Sequence, residues 1–225
     1  RYAEYIFQLS LLGATLEKIS IEIRNLQRTE IGEVSEHFKK GQMGSSAVPV
    51  KRNPIKSERI SSLSKLLRSQ ISTSFENIPL WHERDLSNSA NERFTLPMAS
   101  ILLDEMIETM IRIISNLKIN DKQVQENLYI TKGQIFAEFV LEALIKKGIP
   151  RFTAYRDVQR VAFGAHEKKM NYMDALINDK AISKSLTEKE IRGIFIPEKH
   201  LGASQIIINN VDKHVKLDVR KISKF

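Results

Sequence analysis

From Tyr2 to Leu26 apolar residues return at alternating steps of three and four: Tyr2, Tyr5, Leu9, Leu12, Leu16, Ile19, Ile23 and Leu26. A heptad seam of this kind is satisfied by an α-helix that lays one stripe against other helices. Ile6, Phe7, Leu11, Ala14 and Ile21 widen the stripe beyond a two-stranded seam, so the spacing predicts a long helix buried in a multi-helix bundle. One chain could hardly cover so broad a stripe.

After Thr29 the periodicity stops, and Gly41, Gly44, Ser45, Ser46 and Pro49 read as a loop. Helix returns at Asn53-Pro54, a favoured N-cap followed by a favoured first helical residue, with Ile60, Leu63, Leu67 and Ile71 as its core face. Pro79 and Trp81 mark the next break. Residues 94–117 are dense in Ile, Leu and Met, which predicts a helix buried on most sides and bent or started by Pro97.

Polar residues Asn120 to Gln123 then place a boundary between a central helical-bundle domain over 1–118 and a smaller helical domain over 119–225. In the latter, helices are expected over 124–144, with a stop at Gly148 and Pro150, and over 153–169, 172–177 and 204–215. Another should start at the capping box of Thr187 and Glu190. No segment alternates as a strand, so the predicted class is all-α.

Composition narrows the chemistry. The 225 residues contain no cysteine, which removes disulfides, thiolate nucleophiles and cysteine-ligated metals. No apolar run reaches the roughly 20 residues that cross a bilayer, and the start lacks the layout of a signal peptide, so a cytoplasmic protein is expected. The chain opens at Arg1 directly in a helical pattern, and a preceding segment is expected. His37, His82, His166, His200 and His214 have no metal-ligand spacing, and His82 reads as a hydrogen-bonded structural imidazole.

The net charge of +8 raises nucleic-acid binding as an alternative. Much of the excess sits where Lys alternates with Glu, or in a tail (Lys213, Lys216, Arg220, Lys221, Lys224) without stacking aromatics.

The segment from Gly44 to Pro54, GSSAVPVKRNP, resembles the signature loop of the fumarase/aspartase superfamily, G-S-S-x-M-P-x-K-x-N-P. It departs at Val48, where Met is usual, and at Val50, where His or Tyr is common. The physical logic holds without the name. Glycine and serine allow close backbone approach, Lys51 supplies a cation, and the helix opening at Asn53-Pro54 should welcome a carboxylate at its N-terminus. The resemblance implies that Ser45 is the general base, removing a proton beside a carboxylate, with Lys51 and Asn53 binding substrate.

A second segment, residues 79–93 (PLWHERDLSNSANER), resembles the pattern of the adenylosuccinate lyase family within that superfamily. It implies that Arg84, Ser89 and Arg93 bind a nucleotide, chiefly its phosphate, and that Arg59 is a further substrate-binding arginine. Residues 127–133 and 154–160 are similar to that family's C-terminal helical domain, so the chain would correspond to its C-terminal two-thirds.

The resemblance further implies fumarate elimination from adenylosuccinate and its imidazole-carboxamide counterpart, with no metal or organic cofactor. It implies a homotetramer whose sites are shared between subunits, and a general-acid histidine upstream of Arg1, so these residues alone should be inactive. Two other readings stay open: another lyase or carboxymuconate cycloisomerase of the superfamily, and a non-enzymatic basic helical scaffold or nucleic-acid binder.

Overall fold

The heptad-patterned segment forms α1 (Tyr2–Leu26) in the computed structural model, which describes residues 1–222 other than Lys39, Lys40, Met43 and Ser46. Side chains are described through Lys216. Ser46 of the loop and Lys224 of the basic tail lie outside the described residues, as do the side chains of Arg220 and Lys221.

The face that α1 buries overlaps its apolar seam only in part. Ile6, Ser10, Gly13, Ser20 and Ile23 are buried, while Tyr2, Tyr5, Leu12 and Ile19 are exposed. The reason is close approach. A Cβ on Gly13 would stand 2.7 Å from Leu67 Cδ2, so glycine there lets the Leu67 side chain of α2 (Ile55–Glu76) settle against the α1 backbone. Serines line the same contact from the α2 side, where Ser57, Ser61, Ser64 and Ser74 are buried beside Ile60 and Leu67. Ser10 Oγ donates to the Leu67 carbonyl and Arg24 Nη1 donates to Ser61 Oγ, which satisfies these polar groups inside the seam.

α3 (Ser89–Ile114) completes the bundle with Ala99, Leu102, Leu103, Met106, Met110 and Ile113. It starts five residues before the expected 94, and Pro97 lies inside it without ending it. The expectation that it would be buried on most sides is not met within this chain. Phe94, Ile101, Ile111 and Ile114 are more than half exposed, an apolar face opposite the one packed on α1 and α2. The chain also has one small sheet among the described residues. β1 (Val34–Ser35) pairs antiparallel with β2 (Lys118–Ile119), Val34 opposite Ile119.

The chain divides into two compact units, Arg1–Gln125 and Glu126–Phe225. The division falls within α4 (Asp121–Leu128) instead of at 118/119, because the β1–β2 pairing and the Asn120 N–H bond to the Glu33 carbonyl tie residues 118–120 to the first unit.

In the second unit the expected helix over 124–144 is broken. After α4 the backbone turns through Lys132 at φ 54° and Gly133 at φ 90°, and α5 (Ala137–Lys146) begins after a short 3-10 turn. A Cβ on Gly133 would meet Phe195 at 2.7 Å, so this turn is where the chain lets the Phe195 ring in. α6 (Arg151–Glu167), α7 (Tyr172–Asn178) and α8 (Glu188–Ile194) pack with α5 around Phe136, Val140, Leu144, Val158, Tyr172, Leu176 and Ile191. The capping box of Thr187 and Glu190 is formed, with the Glu190 carboxyl held down to about 2 by Lys147 first and by the Thr187 N–H and hydroxyl next. α9 (Ser204–Ile222) closes the described chain, with all its described side chains exposed.

Candidate active site

The signature loop leaves β1 and returns to the head of α2. Its neck is narrow. A Cβ on Gly44 would lie 2.1 Å from the Lys51 carbonyl oxygen and 3.0 Å from two carbons of the Phe38 ring. The Arg52 guanidinium stands over the other part of that picture, 5.7 Å from the Phe38 ring centre. Just inside the neck, Ser45 Oγ accepts the N–H groups of Ala47 at 3.3 Å and Val48 at 3.2 Å. Two backbone donors on one hydroxyl oxygen favour negative charge there, which is what a serine needs to act as a base.

Lys51 and Asn53 line a cleft of about 750 Å³ together with Arg24, Arg28, Arg52 and Glu58. That volume falls in the range of small-molecule sites. Arg59 faces a different cleft, with His37, Lys56, Arg112 and Asn116, and its guanidinium pairs with Glu105 at 3.5 Å.

The head of α2 corrects one expectation. Asn53 is not its cap; Pro54 occupies that position and no side chain there bonds the helix. The place expected to receive a ligand carboxylate is filled by Glu36, whose carboxylate accepts the N–H of Lys56 at 3.3 Å and of Ser57 at 2.7 Å. A second carboxylate has no donors left to bind at that helix end.

The head of α3 is arranged differently. Its N-cap residue Asn88 makes no side-chain cap, and Ser89 and the exposed Arg93 sit four residues apart on one face of the first turns. The Ser89 N–H is already taken by the Leu86 carbonyl, and Glu92 shares the first turn, so what the helix head offers an anion is the Ser89 hydroxyl and the Arg93 guanidinium. Arg84 lies beside it in the preceding loop, in a cleft with Arg1, Asn77 and Asn88.

That loop is shaped by Asp85. Its carboxylate takes the N–H of Trp81 and of Ser87, each at 2.7 Å, and the Ser87 hydroxyl, which hold its pKa below the ordinary carboxylate range. His82 is exposed at φ 50° in the same loop, so the expectation of a structural imidazole is not met by burial.

The two halves of the expected site stand apart in one chain. Lys51, Asn53 and Arg59 are at the head of α2, and Arg84 lies beyond its tail. A helix of 22 residues separates them by about 33 Å. Sequence reading also passed over Gln27, Glu36, Glu58 and Asp85. Only Asp85 left a local signal, an acidic residue two positions before Ser87 as in an Asx turn. The others act across 9 to 25 residues of chain or by sharing a cleft, which no short pattern records.

Comparison with known proteins bears on the whole chain. Residues 133–211 match the family described as adenylosuccinate lyase C-terminus, and residues 1–66 match the family described as lyase. Ser45, Lys51, Asn53 and Arg59 fall within the second match; Arg84, Ser89 and Arg93 lie between the two.

The chain is 43% identical over 195 residues to an adenylosuccinate lyase of Thermotoga maritima, covering 87% of this chain and 45% of that protein. It is 41% identical over 215 residues to one of Pyrococcus horikoshii, covering 96% and 48%. It therefore spans about half the length of these relatives, less than the two-thirds expected.

Among solved structures it resembles a 3-carboxy-cis,cis-muconate lactonizing enzyme from Pseudomonas putida, with TM-score 0.84, 26% identity, and 96% and 48% of the two chains covered. A fumarate lyase from Mesorhizobium sp. BNC1 shares the fold at TM-score 0.81 and 23% identity, over 93% and 46% of the two chains. Signature loop, helical bundle and sequence identity agree: the chain belongs to the adenylosuccinate lyase family, within the all-α fold of the fumarase/aspartase superfamily.

Proposed function

We propose that the complete protein is an adenylosuccinate lyase, eliminating fumarate from adenylosuccinate to give AMP and from SAICAR to give AICAR in purine synthesis. The observation that carries the reading is Ser45, its hydroxyl oxygen held by two backbone N–H groups in a pinched loop whose far side presents Lys51 to a cation-lined cleft.

Ser45 takes the proton on the carbon beside a succinyl carboxylate. The electron pair spreads onto that carboxylate, where the Lys51 ammonium and Asn53 amide stabilise the added charge. The carbon–nitrogen bond then breaks and the nitrogen takes a proton from a general acid. None of the five histidines in these residues is assigned that role. Arg84, Ser89 and Arg93 at the head of α3 hold the phosphate, and Arg59 holds a further anionic group. No metal or organic cofactor takes part.

About 33 Å of helix separates these groups, which favours a site shared between subunits, and the reading takes that assembly to be a homotetramer. Another copy of the chain, running antiparallel, would bring its Arg84 end to this Lys51 end. The exposed seam of α1 and outer face of α3 supply the apolar surface for that contact. A cytoplasmic location is part of the same reading.

The test is complementation. Ser45→Ala and Arg84→Ala, each in the complete protein, should lose nearly all fumarate release. Mixed after partial dissociation and reassembly, they should recover part of it, because some sites then receive both intact residues. Full activity of Ser45→Ala would remove Ser45 as base; two inactive variants that never complement would remove the shared site.

A further inference from the structure

Gln27, the residue that ends α1, has one side-chain acceptor and donors on one nitrogen, and the loop uses both kinds. Its Oε1 accepts the Glu36 N–H at 2.8 Å, where the chain enters the excursion. Its Nε2 donates to the Arg52 carbonyl at 2.9 Å, where the chain leaves it. The amide orientation follows from the partners, since an N–H needs an acceptor and a carbonyl needs a donor. Entry and exit of the signature loop are thus fastened to one side chain.

Glu36 makes the second fastening. It is 7% exposed, and its carboxylate accepts the Lys56 and Ser57 N–H groups and the Ser57 hydroxyl, the last at 2.7 Å. A Ser, Thr, Asp or Asn at the cap position would satisfy the helix end locally. A cap delivered from 20 and 21 residues upstream does something a local cap cannot: it ties the base of the loop to the first turn of α2. Lys51 and Asn53 lie between the two fastenings, on the wall of the cleft.

We propose that Gln27 and Glu36 are positioning residues for the elimination, holding the returning strand of the loop so that the Lys51 ammonium is already aimed when charge develops on the substrate. The inference rests on the lyase reading of this site. Donors fixed before reaction cost no reorganisation at the transition state, so loosening them lowers turnover more than binding.

The experiment compares Glu36→Gln, Gln27→Ala and Ser57→Ala in the complete, assembled protein, reading kcat, KM, assembly state, melting temperature and backbone amide exchange. Glu36→Gln and Gln27→Ala should each lower kcat by about tenfold to a hundredfold, with KM held within about threefold, since an ångström of misplacement is worth that much. Exchange across residues 44–57 should quicken about tenfold while the rest of the first unit keeps its protection.

Ser57→Ala keeps both backbone contacts and should lose less than Glu36→Gln. If Glu36→Gln does not assemble, Gln27→Ala decides, because it leaves the helix cap in place. Unchanged kcat in assembled variants with quickened loop exchange overturns the proposal, as does a kcat loss matched by loss of assembly or of melting temperature. If the unsubstituted protein releases no fumarate, the lyase reading fails by itself. Exchange then decides the tie: unchanged protection of 44–57 in both variants overturns it, and quickened exchange sustains it.

Discussion

Replacing Gly44 with alanine puts a methyl carbon into the space of the Lys51 carbonyl. The new Cβ would lie 2.1 Å from that oxygen, whereas carbon–oxygen contacts ordinarily settle near about 3.3 Å, so the neck must open by about 1.2 Å. Retreat the other way meets the Phe38 ring at 3.0 Å, and that ring is itself covered by the Arg52 guanidinium. Both sides of the neck therefore move, and with them Ser45 on one side and Lys51 on the other. A displacement of about 1 Å in a catalytic group costs about a hundredfold in rate, equivalent to about 2.7 kcal/mol of barrier.

Stability should change far less, because Ala47, Val48, Pro49, Val50 and Lys51 are exposed and bury little. The assay is steady-state fumarate release by the complete protein, alongside thermal unfolding. Gly164→Ala serves as control. Gly164 sits inside α6 with open space around its Cβ position, so alanine there should leave kcat unchanged and add up to about 1 kcal/mol of stability. A Gly44→Ala protein that keeps kcat within about twofold would refute the narrow neck as a catalytic requirement.

Two predictions concern stability and its pH dependence. The Glu17 carboxyl is held below its ordinary value of 4.5, chiefly by its hydrogen bond from Arg68, with burial opposing. A lowered folded pKa contributes stability that is fully present above about pH 4.5 and is lost as pH falls through the folded value. Arg68→Ala should therefore cost about 1 kcal/mol at pH 7, solvent screening of the 39% exposed Arg68 keeping the loss small. In urea denaturation the gap to the parent protein should narrow toward pH 3; a gap constant with pH would refute the pairing.

Tyr172 is fully buried in the second unit and its hydroxyl has no hydrogen-bond partner among the described residues, so Tyr172→Phe should stabilise the protein by up to about 1 kcal/mol. Burial pushes that hydroxyl up from 10.0, and a raised folded pKa means stability is lost as pH rises past 10; the phenylalanine variant should show a shallower alkaline decline in melting temperature.

The signature loop and the arginine-bearing segment were legible as strings because their chemistry is local: small residues at a neck, a lysine two positions before an Asn-Pro step, two arginines flanking a serine. Ile60 and Leu67 were legible as core for a similar reason, since helical spacing alone puts them on one face. The buried side of α1 was not. Periodicity marks a stripe as apolar but carries no information about who covers it, and here Gly13 and a row of serines win the inner contact by allowing closer approach. Half of the Tyr2–Leu26 seam, namely Tyr2, Tyr5, Leu12 and Ile19, is left to the outside of the chain.

Sequence alone determined helical class and family, because periodicity and short motifs are properties of neighbouring residues. Tertiary structure decided that the head of α2 is taken. Glu36 reaches the head of α2 across 21 residues, and nothing in the intervening string announces it. It also decided that Lys51 and Arg84 stand at opposite ends of one rigid helix, a consequence of 1.5 Å of rise per residue accumulated over 22 residues. Distance along a helix cannot be closed by side chains, so a site that needs both ends needs more than one chain.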